Sequence, residues 1–121
     1  MTKEIEGYLA LLEDLRGQVK KGLEGLDREA LDWRPIPEKG DLSTNSLGAI
    51  ATHLAGSETF WMKEIIAGQP VHRDREAEFT ARGTGVTDLQ AKLDGAAQAT
   101  KEVLNSLPRA HLDEERKFRD R

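Results

Sequence analysis

Apolar residues recur at three- and four-residue intervals along three stretches of this chain, and each stretch reads as an amphipathic helix. The first runs from about Thr2 to Gly22. Thr2 is its N-cap, and Ile5, Tyr8, Leu9, Leu12, Leu15, Val19 and Leu23 form its stripe, opposite Glu6, Glu13, Lys20 and Lys21. Gly17 costs about 1 kcal/mol relative to alanine inside a helix. A short helical turn follows at Asp27 to Leu31, with Asp27 as its cap. Trp33-Arg34-Pro35-Ile36-Pro37 then breaks the helix, because prolines two apart remove donors and hold the chain extended. Leu31 and Trp33 are expected to cover one end of the core, and Glu38 to Thr44 reads as a polar loop.

The second long helix begins near Ser43 to Ser46 and runs to about Ala67, where Gly68-Gln69-Pro70 stops it. Its expected inward stripe is Leu47, Ile50, Leu54, Trp61 and Ile65, with His53, Ser57 and Phe60 beside it. Val71 to Gly85 reads as a long connection, and structureless loops of that length are often functional. The third helix starts at Thr87-Asp88-Leu89-Gln90, a capping box with Val86 placed as a hydrophobic staple. Leu89, Leu93, Ala96, Ala97, Val103, Leu104 and Leu107 form its stripe, and Pro108 ends it. The stretch 109–121 has only Leu112 and Phe118 as large apolar residues and reads as a linker or short tail.

The pattern therefore predicts an all-α fold in a single domain, 1–121. The stripes on the first two long helices are wide enough to want another neighbour, such as a helix from another subunit, and a homodimer is the expected partner. Composition narrows the function. Acids outnumber bases, 22 to 18, and the two are interleaved, so no basic stripe marks a nucleic-acid surface. The absence of cysteine excludes disulfides, thiolate nucleophiles and cysteine zinc sites. No apolar run approaches the roughly 20 residues that span a bilayer, and the polar N-terminus does not read as a secretory signal. A cytoplasmic protein without membrane contact is expected.

The chemistry centres on His53. It follows Leu47 and Ile50 at helical spacing, so the imidazole points into a bundle or along the edge of its core, where it needs a hydrogen bond, a carboxylate or a metal. A lone histidine so placed is ordinarily a satisfied core residue. Glu58 lies about 500° further around the helix and does not share its face. His72 reads as exposed, and Trp33, Phe60 and Trp61 as core rather than a stacking box. The serines lack a nucleophile-elbow context, and Gly83-Thr84-Gly85 lacks the strand that a phosphate loop requires.

Leu31-Asp32-Trp33-Arg34-Pro35, Asn45-Ser46-Leu47-Gly48, His53-Leu54-Ala55-Gly56-Ser57-Glu58 with Trp61, Gly68, Arg73-Asp74-Arg75 and Glu78-Phe79 together resemble the DinB-like (YfiT-like) superfamily. That superfamily includes mycothiol-dependent maleylpyruvate isomerases and bacillithiol-transferase relatives. The resemblance implies an up-and-down four-helix bundle of which three helices are present here, the fourth being missing or supplied by a partner. It implies a divalent metal, commonly nickel or zinc, held by three residues, and His53 matches the ligand on the second helix. The usual pair of ligands four residues apart on the last helix has no counterpart. The nearest substitute is His111 with Glu115, since a spacing of four shares a helix face. Arg34, Arg73 and Arg75 are candidates to line the cavity mouth and hold an anionic substrate, such as a low-molecular-weight thiol cofactor. Two functions follow. One is a metal-dependent thiol transferase or hydrolase acting on a small molecule, impaired in this chain. The other is a non-catalytic dimerisation or binding module that has lost the metal.

Overall fold

A computed structural model describes residues 2–35 and 44–116. Every regular element among those residues is a helix, with no strand. Helix α1 spans Lys3–Leu23, α2 Arg28–Asp32, α3 Leu47–Thr59, α4 Arg75–Thr80 and α5 Val86–Ser106. Helix α3 runs on without a break into a π-helical segment, Phe60–Ile66, and a 3₁₀ turn, Arg109–Asp113, follows α5. Two starts use the capping residues expected, and Ser46, within the expected start of the second long helix, caps a third. Thr2, Asp27 and Ser46 each accept a backbone N–H three residues on, from Ile5, Ala30 and Ala49. Ser43, Phe118 and most of the expected Glu38–Thr44 loop lie outside the described residues.

Helix α5 is the spine. Both α1 and α3 pack along it, while α2 and α4 pack on α3. One core cluster joins Leu23, Leu31, Ala51, Ala55, Leu89, Leu93 and Ala96. A second joins Ile5, Leu9 and Leu104 at the other end, with Leu107 and Leu112 against it. Between them Arg16 of α1 reaches Glu58 of α3 through two hydrogen bonds, and Thr100 of α5 donates to the same carboxylate. Arg16 and Thr100 are buried, so this polar junction fixes the mutual register of the three long helices.

The face that α3 buries differs from the expected one. Leu47, Ile50, Leu54 and Trp61 are exposed, and Gly48, Ala49, Ala51 and Ala55 are buried instead. Size decides this outcome. A β-carbon at Gly48 would stand 3.1 Å from the Leu31 carbonyl oxygen, so only small residues let α2 and α5 approach α3. The large residues fall on the other side, where Leu54, Trp61 and Met62 meet Leu12 and Leu15 of α1 across a groove of about 330 Å³. Trp33 likewise is 65% exposed, whereas Leu31 is fully buried in the core.

Two further expectations change. Helix α5 begins at Val86 with Gly85 as its N-cap and no side-chain cap, so Thr87 lies inside the helix and the capping box does not form. The expected loop from Val71 to Gly85 contains α4, capped by Asp74, whose carboxylate accepts the Ala77 N–H.

Candidate functional site

His53 sits midway along α3, and α4 is the element that furnishes its surroundings. The Phe79 ring stacks on the imidazole, with centroids 4.4 Å apart and planes 27° from parallel. Glu78, the preceding residue, places Oε1 3.1 Å from His53 Nδ1. Arg73 clamps the same carboxylate from the connection before α4, donating from Nε to Oε2 at 3.0 Å and from Nη2 to Oε1 at 2.9 Å. Its guanidinium also passes 3.4 Å from Nδ1. A carboxylate so engaged only accepts, so Nδ1 carries a proton and donates to it, which in the neutral ring leaves Nε2 as the acceptor.

Local sequence explains why these groups meet. Asp74 starts α4, which sets Glu78 one turn in, with its side chain turned toward α3. Gly56 makes the room, because any β-carbon there would overlap the Glu78 carboxyl group. Arg34 then holds α4 in place by donating to the carbonyls of Phe79 at 2.6 Å and Thr44 at 2.9 Å. Asp32 fixes the far end by accepting the Gly83 N–H, where the chain turns at φ 74. Glu78 is buried, and Arg73 and His53 keep side-chain exposures of 12% and 25%.

A cavity of about 600 Å³ opens between α3, α4 and α5. Arg73 and Glu78 stand in its wall, and His53 meets it through them. Of the three arginines singled out in the sequence, only Arg73 lines it. Arg34 is spent on backbone carbonyls, and the Arg75 guanidinium lies 5.0 Å over the Phe79 ring. His72 is exposed at the rim. The structure does not bring His111 and Glu115 to His53. Residues 109–113 form a 3₁₀ turn rather than an α-helix, and His111 pairs with Glu114 at 3.3 Å. Among the described residues no group of three or more histidine, aspartate or glutamate side chains is disposed to hold a metal ion.

A family model for the DinB superfamily matches residues 11–121. The chain belongs to the DinB superfamily. No curated protein and no solved structure matches it. For this DinB-superfamily chain the expectation that Glu58 does not serve His53 agrees with the geometry, since Glu58 is committed to Arg16 and Thr100. The partner that sequence reasoning missed is Glu78, 25 residues downstream. Its one local signal was Asp74 followed by Glu76 and Glu78, an N-cap with acids in the first turn.

Proposed function

We propose that this DinB-superfamily chain is a metal-dependent transferase or hydrolase acting on a small molecule, with His53 Nε2 as a ligand to a divalent ion such as nickel or zinc. The observation that carries the reading is the bond from His53 Nδ1 to Glu78. Ligating histidines almost always donate their second ring N–H to a carboxylate or carbonyl, which fixes the tautomer and raises ligand basicity. The fit is partial. The described residues supply one ligand and its orienting carboxylate, and both Glu78 oxygens are taken by Arg73. Further ligands would come from outside the described residues, from a second chain or from the substrate.

A bound divalent ion with an open position supplies Lewis acidity toward a thiol or a water molecule. The thiol comes from a low-molecular-weight cofactor, since the chain contains no cysteine. The chain's own residues hold the imidazole edge-on to Glu78, stack it on Phe79 and place the Arg73 guanidinium in the wall of the neighbouring cavity.

The test is nickel and zinc content after reconstitution and desalting, for the wild type and His53→Ala. About one ion per chain or per dimer, lost in the variant, supports the reading. No retained metal in either protein overturns it. A second reading, a non-catalytic module that forms a homodimer, draws on the exposed apolar side chains flanking the α1–α3 groove. Leu11, Leu15, Leu54 and Trp61 are all 39% exposed or more. Sedimentation of the wild type beside Leu15→Glu separates a dimer on this face from a monomer.

A further inference from the structure

The cavity between α3, α4 and α5 carries positive charge that the fold does not use. Three cations line it: Lys63 from the π segment, Arg73 from the connection before α4, and Lys92 from α5. Arg73 is neutralised by Glu78. Neither the Lys63 nor the Lys92 ammonium group has an ion-pair or hydrogen-bond partner among the described residues. The remaining acid in the wall, Asp74, is engaged as the cap of α4. Two ammonium groups brought by separate elements to one concavity raise its potential, and low-dielectric walls focus that potential on an entering anion.

Most of the remaining lining is alanine and glycine, with Thr52, Thr59, Thr84 and His72 as its polar members. Ala55 and Gly56 of α3 face Gly95, Ala96 and Ala99 of α5. Side chains this short leave the space open, and about 600 Å³ falls within the range of small-molecule sites, ~300–1,000 Å³. An inorganic anion satisfies the lysines but leaves the alanine floor against water. A neutral molecule covers the floor but leaves both lysines unanswered. An organic acid does both.

We propose that the α3–α4–α5 cavity is a binding site for a small organic acid. Lys63 and Lys92 hold its carboxylate, and Ala55, Ala96 and Ala99 carry its apolar body. The site requires no metal at His53, so it stands or falls separately from the reading above. If both hold, the acid lies against the wall formed by Arg73 and Glu78, next to the imidazole that they position.

The experiment follows backbone amide shifts of the ¹⁵N-labelled full chain during titration with 3-phenylpropionate. Neutral 3-phenylpropionamide and inorganic phosphate serve as parallel probes. Saturable shifts at Gly56, Gly95 and Ala96 are expected for the carboxylate, with both other probes binding about tenfold or more weakly, a factor worth ~1.4 kcal/mol. Lys63→Gln and Lys92→Gln each weaken the carboxylate by about threefold or more, within the range of partly exposed ion pairs. Gly95→Leu abolishes binding while leaving amides far from the cavity unmoved. Gly95 lines the cavity and a β-carbon there meets nothing within 4 Å, so a larger side chain has open space to enter. Equal affinity for acid and amide, equal affinity for phosphate, unchanged affinity in both lysine variants, or shifts confined to the α1–α3 groove each overturn the proposal.

Discussion

Gly56 and Glu78 share one space: the place where a β-carbon of residue 56 would stand is filled by the Glu78 carboxyl group. Gly56→Ala therefore expels the carboxylate from between His53 and Arg73. Two half-buried donor side chains lose their acceptor, which costs about 1–3 kcal/mol. Gly95→Ala is the matched control, because it lies mid-helix in α5 and meets nothing. Replacing it gains about 0.5–1 kcal/mol from helix propensity alone. Urea unfolding of the two variants checks this, with midpoints expected to move in opposite directions.

Glu78→Gln preserves the shape of the side chain but weakens its hold on the imidazole N–H and on Arg73. If His53 is a ligand, losing such an orienting carboxylate lowers metal affinity by about 10–100-fold. Competition against a chromophoric chelator measures this directly. An unchanged affinity would show that Glu78 has no part in tuning Nε2.

Arg16 and Glu58 form the other buried ion pair, with side-chain exposures of 7% and 18%. Removing one partner strands the other, so Arg16→Met is expected to cost about 3–5 kcal/mol, whereas the double variant Arg16→Met with Glu58→Leu costs much less than the sum of the singles. Chemical denaturation of the four proteins in the cycle gives the coupling.

Tyr8 is the chain's single tyrosine, and its hydroxyl donates to Glu4 Oε1 at 2.9 Å. That hydrogen bond, reinforced by the carboxylate's charge, raises the tyrosine pKa above its ordinary value. A raised pKa in the folded state means that the bond contributes below the unfolded value, about 10, and is lost as pH climbs through the folded one. Absorbance titration should show Tyr8 ionising above the usual range, and Glu4→Gln should bring it back down.

How much of this was legible beforehand depended on side-chain size and on sequence distance. The reach of α1 and α5 follows from stripes such as Ile5, Leu9 and Leu23, or Leu89, Leu93 and Leu104, whose buried members are also large. The stripe on α3 misled because burial there selects for smallness. Ala51 and Ala55 go in, while Ile50 and Leu54, one position before each, stay out. Helix α4 has six residues, too few for a periodic stripe, and only its Asp74 cap announced it. The cap placed Glu78 in a helix but not against His53, since nothing in either segment specifies the other. Gly56 makes sense only once Glu78 is known to lie against it. The DinB resemblance singled out His53, and of the three arginines read as lining a cavity mouth, Arg34 and Arg75 instead set their guanidinium groups against a backbone and a ring.

The π segment after α3 is, in effect, one residue more than an α-helix needs. Its N–H groups reach back five residues or more, as Ala67 does to Met62, so the added residue is absorbed by a wider turn. Wound as an ordinary α-helix, the same residues would turn everything beyond them by about 100° relative to His53. Lys63 would then swing away from the cavity, and the strand of chain bearing Arg73 would leave α3 on a different heading. This surplus residue thus acts as a phase setting: it lets one continuous helix carry the histidine, then deliver the connection that comes back to clamp it.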